Sequence, residues 1–159
     1  MATKIPFIHK YDFEYGKLEQ ITPLIRRVTA KNPSGFTFMG TGTYVVGTGN
    51  VAVIDPGPVG SGQSVGDPAD IRGEGHVEAI LHAIGDAKVV AILCTHTHRD
   101  HSPAAAPLKA ATGAQIIGCA PLVLRDDGPR ADSAFDPDYR PDRILTDGEI
   151  ISGDGWSLE

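Results

Sequence analysis

The sequence predicts an α+β domain, a mixed sheet flanked by helices, on three observations. The runs Thr43-Tyr44-Val45-Val46 and Val51-Ala52-Val53-Ile54-Asp55 flank the glycine-rich connection Gly47-Thr48-Gly49-Asn50, which reads as a hairpin. Val77, Ile80, Leu81 and Ile84 recur at the spacing of one helical face and stop at Gly85. The apolar run Val89-Val90-Ala91-Ile92-Leu93 then reads as a buried strand, short, continuous and rich in β-branched residues. Strand, glycine-rich loop, helix, strand is an alternation of α and β elements that builds a layered sheet.

Taken in order, residues 1–35 form an N-terminal lead-in with a short strand. Residues 1–20 are irregular, with His9 solvated; Leu24 to Thr29 is the strand and Asn32-Pro33-Ser34-Gly35 a turn. Phe36-Thr37-Phe38-Met39 is expected to be a short strand with both phenylalanines on one face. The hairpin follows, and its second strand stops at Pro56-Gly57, because proline cannot donate to a ladder. Asp55 therefore stands at a strand end. Residues 56–75 carry neither a GxxxxGK[ST] motif nor a strand-GxGxxG-helix unit, so they read as a surface loop, long enough to serve as a flap over a site.

His76 and His82 lie six apart on the helix, do not share a face, and are expected at the surface or its boundary. Cys94 ends the buried strand as a small core residue. Ser102-Pro103 reads as N-cap and first residue of an alanine-rich helix, 104–112, which Gly113 ends and in which Pro107 implies a kink or restart. Gln115 to Cys119 is the next strand. Residues 125–143, dense in Asp, Arg and Pro, read as a solvated loop. Ile144-Leu145 and Ile150-Ile151 flank Thr146-Asp147-Gly148-Glu149 as an expected hairpin.

Composition bounds the function. The 159 residues, 41% hydrophobic, suffice for one domain with a modest core. A net charge of −6 argues against nonspecific nucleic-acid binding, though not against an RNA-cleaving enzyme whose divalent ions offset charge where phosphate sits. No apolar run reaches membrane-spanning length, and the first 17 residues lack a signal-type apolar core, so a cytoplasmic protein without a membrane partner is expected. Two cysteines, Cys94 and Cys119, without CxxC spacing, fit reduced thiols in that compartment.

The chemistry concentrates in Thr95-His96-Thr97-His98-Arg99-Asp100-His101-Ser102, directly after the buried strand. If the strand carries into the motif, His96 and His98 point to the same side of it. The turn that follows can bring Asp100 and His101 to the same place. Imidazole nitrogens and a carboxylate suit a borderline divalent cation, zinc first, with manganese or iron as alternatives. A Ser102–His101 nucleophilic pair lacks sequence support for an acidic partner or oxyanion hole.

The pattern His-x-His-x-Asp-His resembles the signature of the metallo-β-lactamase superfamily. The resemblance implies an αββα sandwich with two metal ions between its sheets. It implies that His96 and His98 serve one ion, that Asp100 and His101 serve the second, and that a complete site holds two Zn2+, or Mn2+ or Fe. It also places Asp55 near the cluster as a support; a turn-forming aspartate before proline is the alternative. The resemblance runs from about residue 36 to the end but covers only the first half of the fold, so 36–159 is expected to be the N-terminal half of such a domain. In the family a third histidine, a bridging aspartate and a last histidine come further on, and no histidine follows His101 here. The chain is therefore expected to be a fragment of a longer protein; the alternatives are a homodimer that completes the site, or a truncated noncatalytic metal-binding or dimerisation module.

The motifs and lead-in look most like β-lactamase-like-2 hydrolases, whose relatives include endoribonucleases and glyoxalase II-type thioesterases. The implied function is a metal-dependent hydrolase that uses a dinuclear-metal-activated water on an ester-type substrate, either a phosphodiester in RNA or a small-molecule thioester. Asp100 is the candidate catalytic residue, and Arg99 is structural. A true β-lactamase is least favoured, since export signals are absent.

Overall fold

In the computed structural model, residues 11–59, 75–123 and 134–159 are described. His9, most of the glycine-rich loop, and the arginine-rich stretch before Ala134 lie outside them. The described elements are β1 (Leu18–Gln20), β2 (Ile25–Thr29), β3 (Gly42–Val46), β4 (Asn50–Ile54), α1 (His76–Ile84), β5 (Lys88–Cys94), α2 (Ala105–Thr112), β6 (Ile116–Gly118), β7 (Arg143–Ile144), β8 (Ile151–Gly153) and β9 (Trp156–Leu158). Strands β1 to β7 form one sheet whose spatial order is the chain order. Strands β1 to β4 pair antiparallel, and β4 to β7 pair parallel, so the sheet is mixed as predicted.

Side chains that alternate along each strand divide the core into two layers. Val45, Val53 and Ile92 face Ile80 and Ile84 of α1 and Leu108 of α2. Val46, Ala52, Ala91, Leu93 and Ile117 face the other way, towards Trp156. A register shift between Val51 and Ala52 pairs these with Val89 and Ala91. The extra β5 residue, Val90, restores the inward direction of Ile92 after Val89, as a bulge does. Ile92 is fully buried, so truncation to alanine would cost about 2–5 kcal/mol.

Two long-range contacts close the frame. Arg26 donates from Nη1 to the Ala83 carbonyl (2.6 Å) and from Nη2 to the Gly47 carbonyl (3.0 Å), so one guanidinium joins β2 to the last turn of α1. Its fork and the partial negative charge at a helix C-terminus suit each other. Trp156 donates from Nε1 to the Asn50 carbonyl (2.8 Å), which docks the β8–β9 hairpin beneath β4.

Four local expectations are corrected. Phe36 to Met39 is a turn, not a strand: Ser34 Oγ accepts from the Phe36 and Thr37 amides, both at 3.1 Å, and Phe38 has φ 54°. The serine side chain offers the backbone partners that a strand would need, and Phe36 is fully exposed. The segments around Thr146–Glu149 do not pair with each other. The turn itself forms, with Glu149 N donating to the Thr146 carbonyl (3.1 Å), but β7 joins β6 and β8 joins β9. Helix α2 begins at Ala105 with Ala104 as N-cap, so Ser102 caps nothing. Pro107 then falls in the first helical turn, where its missing N–H has no intrahelical partner to lose, and neither kink nor restart is required.

Candidate metal centre

The parallel pairing of β4 with β5 brings the ends of both strands together. Asp55 N donates to the Leu93 carbonyl (2.8 Å), which sets Asp55 beside Thr95 at the start of the histidine-rich turn. Asp55 has φ 47° and Gly57 φ 84°, so the chain leaves β4 through a left-handed turn that few side chains adopt. The motif itself is a tight turn in which His101 N (2.9 Å) and Ser102 N (3.1 Å) both donate to the His98 carbonyl. Residues 134–136 clasp it from outside: Arg99 N donates to the Ala134 carbonyl (2.8 Å) and Asp136 N to the Thr97 carbonyl (2.7 Å). Ser102 Oγ lies 2.9 Å from Asp136 Oδ2, and the His98 ring packs against Phe135 with centroids 4.8 Å apart.

This turn gathers the predicted residues. Ring centroids of His96 and His98 are 4.7 Å apart, and those of His96 and His101 are 4.1 Å apart. Asp100 Oδ2 lies 3.3 Å from His101 Nε2, and Thr41 Oγ1 reaches the same oxygen at 3.5 Å. Asp55, His96 and His101 each offer a ligand atom, all within 4.8 Å of one another.

The hydrogen bonds fix which imidazole nitrogens carry a proton. Asp55 is buried; its Oδ1 accepts from Thr95 N (2.8 Å), and its Oδ2 accepts from Thr95 Oγ1 (2.8 Å) and from His101 Nδ1 (3.0 Å). A carboxylate only accepts, so His101 carries a proton on Nδ1, and its Nε2 is the nitrogen turned to Asp100. The Thr95 hydroxyl proton is committed to Asp55. The contact of 2.9 Å between Thr95 Oγ1 and His96 Nδ1 is therefore a bond donated by His96. One carboxylate thus holds two Nδ1 protons, one directly and one through a hydroxyl.

The electrostatics differ between the two rings. Burial raises the Asp55 pKa, but the bonds from His101 and Thr95 outweigh it and leave the carboxyl below its usual range. Burial lowers His101, and the Asp55 bond and the Asp100 charge outweigh it, so its pKa is raised. His96 is lowered, first by burial and then by His101 and His98, which favours its neutral form. Imidazoles with each Nδ1 held by an oxygen, beside a carboxylate, are the donor set that borderline divalent cations take, the ion displacing any proton on Nε2 as it binds. The 3.3 Å between His101 Nε2 and Asp100 Oδ2 also suits two ligands of one ion, since bonds of about 2.0–2.1 Å at tetrahedral angles put ligand atoms about 3.3 Å apart.

Some of the surrounding residues were not visible as partners in the sequence. His76, expected at the surface, is 5% exposed. Its Nε2 lies 3.0 Å from Thr43 Oγ1, because α1 packs its first turn onto the Asp55–Gly57 turn. His82 is exposed, as expected. Cys94 is buried with a free thiol that burial pushes up. A groove of about 620 Å3 lies among Tyr11, Phe13, Tyr15 and Met39, and the imidazoles of the cluster are each partly exposed. Among the described residues no helix is long and apolar enough to cross a membrane.

Comparison with known proteins gives a consistent set. The metallo-beta-lactamase superfamily profile matches residues 36–159. An atrochrysone carboxyl ACP thioesterase of Aspergillus chevalieri is 39% identical over 85 residues, which is 54% of this chain and 24% of that protein. A lactamase-like protein of Pestalotiopsis fici is 34% identical over 85 residues, with the same 54% and 24% coverage. The chain spans about a quarter of the length of these curated relatives. The crystal structure of BJP-1, a subclass B3 metallo-beta-lactamase of Bradyrhizobium japonicum, superposes with a TM-score of 0.56 at 20% identity, over 89% of this chain and 50% of that one. At that identity the likeness is one of fold.

Proposed function

The chain belongs to the metallo-β-lactamase superfamily, and from that premise we propose that it carries the metal-binding half of a hydrolase acting on a thioester. The observation that carries this reading is the convergence of His96, His98, Asp100 and His101 at the tip of β5, with Asp55 behind two of the imidazoles. His96 and His98 hold one divalent ion, and Asp100 and His101 hold a second, with zinc the first choice by ligand chemistry and manganese or iron alternatives. Asp55, with both oxygens engaged, acts as the orienting carboxylate rather than as a ligand. The remaining ligands come from the rest of the domain, the second half of the sandwich. When bound, the ions polarise the substrate carbonyl and lower the pKa of a water enough for attack at neutral pH.

The chain's own residues supply orientation and proton handling. Asp55 keeps His101 Nδ1 protonated and, through Thr95, does the same for His96. Asp100, partly exposed beside Thr41, would take the proton that the attacking water loses. A thioester is preferred to a phosphodiester because relatives matching this part of the chain are named as acyl-carrier-protein thioesterases. Two free thiols suit a reducing compartment, the cytoplasm.

The test is metal content together with turnover by the full-length gene product. The reading expects two metal ions per complete site and release of free thiol from acyl thioesters, abolished by chelator and restored by zinc. Cleavage of RNA with no thiol release would replace the substrate class. No bound metal and no turnover would leave a noncatalytic module in place of the enzyme.

A further inference from the structure

The Asp55 carboxylate meets Thr95 and His101 from a backbone at φ 47°, a left-handed conformation that residues other than glycine populate sparsely. Its support is a buried relay that begins on α1. Thr43 is fully buried, and its Oγ1 donates to the Asp55 carbonyl at 2.8 Å. That carbonyl can only accept, so the hydroxyl proton is used there. The 3.0 Å contact between Thr43 Oγ1 and His76 Nε2 is then a bond that His76 donates. His76 Nδ1 is left bare, and it is buried without a hydrogen-bond partner.

The same ring walls the turn from the other side. A Cβ on Gly57 would stand 2.8 Å from His76 Nε2 and 3.4 Å from Thr43 Oγ1. Gly57 in turn is tied through both of its backbone groups: its N donates to the His101 carbonyl of the motif (2.9 Å), and its carbonyl accepts from Ala104 N at the N-cap of α2 (2.9 Å). A histidine one element away from the cluster thus touches the turn that aims Asp55 and the backbone that holds His101.

We propose that His76 is a positioning residue, which acts through Thr43 to hold Asp55 in the conformation that directs its carboxylate at His101. The assignment rests on Asp55 as the orienting group of the metal centre, and it adds a member outside the histidine-rich motif. It fixes a specific tautomer for His76, protonated on Nε2 and bare on Nδ1. The partner chemistry is a neutral donor, so a side chain with an N–H in the same place should replace the ring and an apolar one should not.

Imidazole 15N spectra of the metal-free protein read the relay directly. The expected spectrum has the downfield signal of a non-protonated nitrogen at His76 Nδ1, and a slowly exchanging proton at His101 Nδ1. His76→Leu and Thr43→Val should both lose that slowly exchanging His101 proton and weaken cobalt(II) affinity, read by its absorption bands, about tenfold, the low end for an outer-shell change. His76→Gln and Thr43→Ser should keep both. A protonated Nδ1 on His76, or equal cobalt affinity in the Leu and Gln variants, would overturn the proposal. If His76→Leu fails to fold, the Thr43→Val and Thr43→Ser pair decides alone. If the wild-type protein binds no cobalt, the hydrolase reading is lost, while the His76 and His101 signals still decide the relay.

Discussion

Removing the Asp55 carboxylate as Asp55→Ala should destabilise the metal-free protein by about 2–3 kcal/mol at pH 7. The figure comes from counting donors. Three bonds end on the carboxylate, from Thr95 N, Thr95 Oγ1 and His101 Nδ1. Thr95 is exposed, so its hydroxyl finds water at little cost. The Thr95 amide and the His101 N–H remain, at about 1–1.5 kcal/mol each, the low end of the cost of leaving a donor unsatisfied, since both residues are partly open to water. Trp156, the only tryptophan, is buried under β4 and reports urea unfolding by fluorescence. A slope of about 1–3 kcal/mol/M converts the loss to a midpoint about 1–2 M lower. The pH dependence gives a second check with a fixed sign. Asp55 has its folded pKa depressed below the ordinary 3.8, so its contribution is present above that value and fades as pH falls through the lower, folded one. The gap between variant and wild type should therefore close below about pH 4. A midpoint shift under about 0.3 M at pH 7, or a gap of equal size at pH 3 and pH 7, would refute the reasoning.

Three further outcomes follow from the same geometry. The raised pKa of His101 means that its charged bond to Asp55 stabilises the chelated protein below the ordinary 6.5 and is lost as pH rises through the folded value, so His101→Gln should cost more in urea midpoint at pH 6 than at pH 8.5. Asp100→Asn in the full-length protein should lower kcat about 10²–10⁴-fold, as expected for a lost proton acceptor, while the unfolding midpoint stays within about 0.5 kcal/mol of wild type. Gly57→Ala adds a Cβ 2.8 Å from His76 Nε2 at φ 84°, and thermal unfolding should show a loss of about 2–3 kcal/mol.

What could be read in the sequence was what the chain writes contiguously. The buried strand and the histidine-rich motif share one fourteen-residue stretch, 89–102, so both the fold frame and the ligand types were visible there. Asp55 stayed open between support and turn former, because its role depends on the pairing of β4 with β5, which brings it to Thr95, forty positions on. Period-two patterning can flag a strand but does not set that register. The clasp at 134–136 was hidden for another reason: Asp and Pro advertise turns, and nothing local says that Phe135 will cover His98. His76 showed no signal either, since a lone histidine at a helix start has the same spelling whether it faces water or a core. Phe36 to Met39 read as a strand by composition until the Ser34 hydroxyl claimed its amides.

Because every neighbour in the seven-stranded sheet is also the next strand along the chain, the sheet can be laid down plank by plank as the polypeptide leaves the ribosome, each new strand adding to one already made. The imidazole-bearing turn would then acquire its foundations, β4 behind it and Asp55 beside it, from segments synthesised before it.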